Sequence, residues 1–507
     1  MSTATAPDQG LDRKLLAVAG VVVLGAVMSI LDTTVVNVAI NTLARDFDTP
    51  LSTIQWVATG YTLALATVIP LTGWAADRFG TKRLYMLSIG LFLAGSALSG
   101  AAWSAESLIV FRVLQGLGGG MLMPAGMTIL TRAAGPQRVG RVMAIIGVPM
   151  MLGPILGPIL GGWLVDDFSW RWIFFINIPI GIAALVTSLR ILPKDSPSSA
   201  ERLDVLGLAL LSPGLALMIY GLAKSASSGG FGAPEVWAPA LIGAALIVAF
   251  VLHGLRTPHA LIDLNLFKNR TFAVASGTLM LMIISVFGAM LLLPLYLQAV
   301  RGESALESGL LLAPQGIGAM IAMPIAGQLT DKTGVGKIVI PGLIVLLAST
   351  IGLTQLTGDT SYWALGGVLF VMGIGMGFSM MPLMSGAMQT LRRIQVARAS
   401  TTLNIIQQVG ASIGTAVMSV VLTVALQDKL GGAGGGGSDT GLGATGADLP
   451  LQVRNLMTEA FTHTYWWAVA LIIPAIAVAF LLPRVKPEPI EDDEPGADEP
   501  APVLMHA

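Results

Sequence analysis

The sequence predicts an all-α integral membrane protein in which two six-helix bundles are separated by two additional transmembrane helices. Hydrophobic residues make up 54% of the chain and charged residues only 11%, where a soluble domain carries roughly 25% charge. The apolar residues gather into about fourteen runs, each close to the ~20 residues that a ~30 Å hydrocarbon core demands of a helix. A loop pattern also recurs. GWAADRFGTKR (Gly73 to Arg83) follows the second run and GQLTDKTGVGK (Gly327 to Lys337) the tenth, each with a Gly, an Asp four residues later and a Gly three beyond. Two parallel six-span repeats would place the loops in this way.

Taken in order, the first span (15–40) follows Arg13 and Lys14. It is longer than a signal-peptide core and no small-residue cleavage site follows, so it is read as retained. The second (51–76) ends at the charged loop, the third (84–103) begins after Arg83, and the fourth (106–131) stops at Arg132. The fifth (138–164) is rich in Gly and Pro, and the sixth (170–192) ends at the polar linker PKDSPSSAER. The two extra spans fall at 203–222 and 236–254. The second set falls at 272–299, 305–329, 338–357, 362–390, 396–427 and 463–483. The domains are therefore 1–192, 193–270 (linker and extra helices), 271–483 and an acidic tail, 484–507. That tail is expected to be disordered and cytoplasmic, since PEPIEDDEPGADEP has too little apolar content to fold. The run GGAGGGGS before the last span is expected to be flexible coil.

Orientation follows from the cations. With the N-terminus in the cytoplasm about 21 of the 28 Lys and Arg fall in inner segments and about six in outer ones, so the positive-inside rule sets both termini inside. A cell inner membrane is the expected location. The balance of 28 basic against 29 acidic residues leaves no nucleic-acid footprint. The absence of cysteine removes disulfide, thiolate and cysteine-metal chemistry. No metal or cofactor is expected, only protons as coupling ion. An enzyme is disfavoured because His253, His259, His463 and His506 lie outside spans or at their edges, and no HExxH or nucleophile motif occurs.

Five motifs in order resemble those of the major facilitator superfamily, and within it the fourteen-span drug:proton antiporters of the EmrB/QacA type. LDTTVVNVAI (Leu31 to Ile40) is similar to the first-span signature, and GWAADRFGTKR resembles the loop that gates the inner side. LIVFRVLQGLGGG (Leu108 to Gly120) resembles the fourth-span motif, with Arg112, Gln115 and Gly116 at its marked positions. GPILGPILGG (Gly153 to Gly162) resembles the fifth-span exporter pattern, and LIDLNLFKNRTF (Leu261 to Phe272) the segment entering the ninth span. The resemblance implies the major facilitator fold and proton-driven multidrug efflux, hence antibiotic resistance. The chain departs from the pattern at Thr81, where the loop usually has a basic residue, so Lys82 and Arg83 are expected to supply the charge. The second-half copy has Val335 and Gly336 before Lys337, which leaves its gating role open.

Asp32 is the one carboxylate between Asp12 and Asp46. An ionised carboxylate in hydrocarbon costs roughly 2.5–3.5 kcal/mol on the lenient insertion scale, so it must face protein or water, or be protonated. At 1.5 Å per residue, Asp32 lies roughly 12 Å and Arg112 roughly 9 Å below the outer end of their spans, at similar depth. Burial favours the neutral acid and a nearby Arg the ionised one; a site with the two forms close in energy can load and release a proton. The alternative is a static ion pair.

Gly73, Asp77, Arg78, Gly80, Lys82 and Arg83 form the expected inner gate, with the loop charges pairing with the end of a helix in the other half; the alternative is a purely topological role. Gly153, Gly157 and Gly161 recur every four residues on one face, and with Pro158 and Gly162 they suggest a close, bendable contact between the halves. Candidate cavity residues are Asn37, Tyr61, Gln115, Asn177, Phe287, Gln315, Asn404 and Gln407, helped by 24 Met, most of which serve ordinary packing. The expectation is an exporter of small amphipathic, often cationic molecules working in the bilayer as a monomer, with room for an accessory periplasmic adaptor. The alternative cargo is a lipid or lipid-like metabolite.

Overall fold

The computed structural model describes residues 12–135, 138–194, 202–227, 233–257, 260–392, 395–431 and 450–485. The acidic tail, the glycine-rich run, most of the polar linker, and the side chains of Asn37 and Pro158 lie outside the described residues. Among the described residues every regular element is helical. The first bundle comprises α1 (Arg13–Asp46), α2 (Leu51–Phe79), α3 (Thr81–Gly100), α4 (Ala105–Ala134), α5 (Val139–Asp167), the short α6 (Trp172–Phe175) and α7 (Asn177–Ile191). A hairpin of α8 (Val205–Ser227) and α9 (Pro234–Gly254) follows. A 3-10 turn at Leu264–Lys268 leads into α10 (Arg270–Ala299), α11 (Ala305–Leu311), α12 (Ala313–Thr333), α13 (Val335–Leu353), α14 (Tyr362–Gln389), α15 (Val396–Gly431) and α16 (Leu451–Ala479).

Helix ends fall where side chains or glycines satisfy the free backbone groups. Asp12 accepts from the Leu15 amide at 2.6 Å, and Ser104 and Ser304 form capping boxes with Ser107 and Glu307. Internal prolines such as Pro70, Pro124 and Pro382 are carried within long helices, as membrane helices allow when neighbours satisfy the freed carbonyls. The Pro124 carbonyl itself accepts from the hydroxyls of Thr128 and, from the other half, Ser400.

Thirteen helical segments of the described residues, with α6–α7 and α11–α12 each counted as one, are long and apolar enough to cross a membrane. The 29-residue α5, charged only near its ends, has the length of a fourteenth. The two bundles repeat one packing scheme: α2 and α3 pack on α4 and α1 on α5, while α12 and α13 pack on α14 and α10 on α15. The halves meet along two seams, α2 against α15 and α5 against α12. These seams pair the second span of each half with the fifth of the other. The extra helix α8 packs on both α2 and α15, burying Leu211 and Leu215 with Ile69 and Ile405 and donating from the Ser212 hydroxyl to the Thr67 carbonyl at 2.6 Å. The extra hairpin therefore covers one seam from outside.

Candidate functional site

The carboxylate of Asp32, midway along α1, is closed off from solvent at 1% exposure, as is Arg112 on α4. Arg112 Nη1 donates to Asp32 Oδ2 at 2.5 Å, while Gln115 Nε2 and Asn177 Nδ2 donate to Oδ1 at 2.8 and 3.1 Å. The guanidinium is held as firmly as the acid. Its Nε donates to the Val57 carbonyl at 3.3 Å, Nη1 to Gln115 Oε1 at 2.8 Å, and its face lies 4.1 Å from the Tyr61 ring centroid. Asn177 also donates to Ser96, whose hydroxyl donates to the Phe174 carbonyl. The network thus ties α1, α2, α3, α4, α6 and α7 of one half to a single charge pair. The depth arithmetic from sequence placed Asp32 and Arg112 at one level, and the structure brings them into contact.

Three residues expected on the cavity wall belong to this network instead. Gln115 and Asn177 spend their amide donors on Asp32, and Tyr61, 1% exposed, lies under Arg112 with its hydroxyl 3.4 Å from that of Ser29. A buried ionised pair must have its remaining lone pairs and protons satisfied, and these polar side chains are the ones within reach. The other candidates lie elsewhere. Phe287 is half-buried on α10. Gln315 Nε2 approaches Met376 Sδ at 3.2 Å, Asn404 Nδ2 approaches Met127 Sδ at 3.3 Å, and Gln407 Nε2 approaches Met384 Sδ at 3.7 Å. Thioether sulfur is a weak acceptor, so the Gln315 and Gln407 amide donors remain available to a better partner, whereas Asn404 Nδ2 also donates to the Ser400 carbonyl at 2.8 Å.

At the end of the molecule that holds the α2–α3 turn, the halves are closed on each other. Asp77 pairs with Arg132 of α4 at 3.1 Å and, across the seam, with Arg398 of α15 at 3.9 Å. Gly73 permits the approach: a Cβ there would lie 3.1 Å from Thr401 Oγ1 and 3.4 Å from the Arg398 backbone. Gly80 turns the chain with φ +92°, a conformation favouring glycine. The second-half copy does the same work more directly. Asp331 Oδ1 and Oδ2 accept from the Gly140 and Arg141 amides at 3.0 and 3.2 Å, so the carboxylate caps the first turn of α5 in the other half. Gln389 donates to Asp331 at 2.9 Å, and Gly334 turns the chain with φ +99°. The repeated spacing of Gly, Asp and Gly, visible in sequence at 73, 77, 80 and 327, 331, 334, was the signal for this second clasp. No comparable signal marked Arg132 or Arg398, which sequence analysis counted only among the topology-setting cations.

Two expectations about this region are corrected. Lys82 Nζ donates to the Leu189 and Leu192 carbonyls at 2.9 and 2.8 Å, at the C-terminal end of α7, while Arg78 and Arg83 are exposed. The cation that meets Asp77 across the seam is Arg398; the Lys82 ammonium binds carbonyls of its own half, where a C-terminal helix end attracts positive charge. The glycine stripe of α5 does not face the other half. A Cβ on Gly153, Gly157 or Gly161 would run into Ile30, Thr34 or Val35 of α1, and Thr34 donates to the Gly153 carbonyl at 3.2 Å. Gly162 meets nothing within 4 Å. The stripe brings α5 against the stretch of α1 that carries Asp32. Contact with the other half includes the early part of α5, where Gly147 faces Met323 and Met381.

A family model described as Major Facilitator Superfamily matches residues 22–415. The chain is 45% identical over 497 residues to a protein of Mycobacterium tuberculosis H37Rv named multidrug resistance protein B homolog, covering 94% of this chain and 92% of the relative. It is 32% identical to the multidrug export protein EmrB of Escherichia coli K12, covering 79% and 78%. Among solved structures, the fold is shared with the human organic anion transporter MFSD10, at a TM-score of 0.60 and 15% identity over 90% of this chain and 99% of that one. It is also shared with the proton:xylose symporter XylE, at a TM-score of 0.58 and 14% identity over 93% and 96%.

Proposed function

The chain belongs to the major facilitator superfamily and is a multi-pass membrane transporter, and from that premise we propose that it exports drug-like amphipathic molecules, often cationic, in exchange for protons. The multidrug names of its relatives support the cargo class. The Asp32–Arg112 pair supports the coupling. Separating the guanidinium from this sealed carboxylate would strand a buried charge at a cost of about 3–5 kcal/mol, and a proton removes that cost. A helix movement that draws Arg112 away therefore loads Asp32, and its reversal expels the proton. Protons moving down a potential gain about 2.3 kcal/mol per 100 mV, which can drive cargo uphill.

In this mechanism the clasps of Asp77 on α15 and Asp331 on α5 keep the cytoplasmic side shut, and releasing them opens it. The α1–α5 contact carries motion to the acid, because Thr34, hydrogen-bonded to α5, is two residues from Asp32. The orientation, with both termini on the cytoplasmic face of the cell membrane, rests on the charge asymmetry of the loops. The test is uptake of a fluorescent cation into proteoliposomes under an imposed pH gradient. Asp32→Asn is expected to abolish gradient-driven transport while the variant still inserts and elutes as the wild type does. Full gradient-driven transport by that variant would overturn proton coupling through Asp32.

A further inference from the structure

The helix α9 is the least buried of the thirteen membrane-crossing segments. Leu241, Val248, Leu252 and Leu255 are each more than half exposed, and their spacing places them along one face. This apolar ridge runs down to a cleft of about 450 Å³ where α9 ends and the 3-10 turn begins, lined among others by Gly254, Arg256, Thr257, Asn265, Phe267 and Lys268. Arg256 and Lys268 are exposed, and neither has an acidic partner among the described residues.

The walls of the cleft are fixed. Asp204, just before α8, accepts from the Gly207 amide at 2.8 Å, the Leu261 amide at 3.1 Å and the His253 ring at 2.9 Å. On the other side Asn269 caps α10 through the Thr271 and Phe272 amides and donates to the Thr390 carbonyl at 3.1 Å, anchoring the 3-10 turn to the end of α14. Because helices alternate in direction, the cleft opens at the same face as the Asp77 and Asp331 clasps.

We propose that this cleft binds the phosphate headgroup of an anionic phospholipid, with one acyl chain lying along the exposed face of α9. Two cations without an acidic partner and an asparagine amide offer the donors a phosphodiester needs. An apolar ridge reaching up into the bilayer is something a free phosphate cannot use. Basic pockets at the ends of membrane helices on the cytoplasmic side recognise such headgroups in this way. The lipid would join the extra hairpin to the second bundle through the Asn269–Thr390 contact.

The full chain, purified in detergent and mixed with equimolar phosphatidylglycerol and phosphatidylcholine, tests this by native mass spectrometry. The wild type is expected to retain one phosphatidylglycerol in preference to phosphatidylcholine. Arg256→Gln with Lys268→Gln should weaken that binding on the order of 30-fold, whereas Arg256→Lys with Lys268→Arg should keep it. Inorganic phosphate at the same concentration should not displace the lipid. Equal retention of the two lipids, undiminished binding by the glutamine variant, or displacement by phosphate alone would each overturn the proposal. If the glutamine variant fails to fold, the wild-type lipid preference and phosphate competition still decide.

Discussion

Removing Asp331 should open the end of the molecule that holds the α2–α3 turn. Its carboxylate caps α5 across the seam through two backbone amides and lies 4.0 Å from Arg141 Nε. A lost cap costs about 1 kcal/mol and up to about 2 in well-buried cases; Asp331 is 5% exposed, which places it at the upper end. The Arg141 contact adds little at that distance. Asp331→Ala should therefore shift the closed-to-open balance by about 2 kcal/mol, roughly 30-fold. The chain has no cysteine, so a single thiol can report the change. Ser400, fully buried where α15 meets Pro124 of α4, serves as the reporter. In Ser400→Cys, labelling by a membrane-impermeant maleimide applied at that face follows the open population. Adding Asp331→Ala should raise the labelling rate about 30-fold, and adding Asp331→Asn, which keeps an acceptor but not the charge, should raise it less. Unchanged labelling in the alanine variant would refute the capping argument.

At the buried pair, Arg112→Ala should cost about 3–5 kcal/mol of stability by stranding Asp32. The Asp32→Asn, Arg112→Gln double variant should recover much of that loss in thermal unfolding without recovering gradient-driven transport. On α5, Gly157→Ala drives a methyl into Thr34 and should destabilise by about 1–3 kcal/mol, while Gly162→Ala, facing open space, should stay within about 0.5 kcal/mol. Matched unfolding curves for the two variants would sink the α1–α5 packing account. For Asp204, burial raises the pKa but the Gly207 amide, His253 and Leu261 amide outweigh it, holding the carboxyl below its ordinary value. A folded-state pKa below the unfolded one means stability that is present above the ordinary carboxylate range and lost as pH falls through the native value. Unfolding followed from pH 6 downward should show this acid loss in the wild type and a flatter profile in Asp204→Asn.

The fold was legible because a bilayer imposes a length and a composition on every helix, and the chain meets both wherever it crosses. The site was legible in its charges, since one acid and one base at similar depth in hydrocarbon have few alternatives to pairing. The surroundings were less so. Nothing in the spacing of Gln115 or Asn177 distinguishes an amide that lines a cavity from one that satisfies a buried carboxylate; only the third dimension shows that α4 and α7 both face α1. The glycine stripe of α5 was a sound prediction of close packing and a poor one of partner, because small residues at every fourth position define a face without saying what lies opposite. The repeat around Asp331 carried more than its weak basic content suggested. Its Gly, Asp and Gly spacing encodes a close approach, an acceptor for the end of a helix and a turn with positive φ, and that acceptor works on backbone amides whatever cations flank it. A clasp built on a carboxylate and a helix end needs no complementary side chain, so its partner at Gly140 and Arg141 left no trace in the motif that holds it.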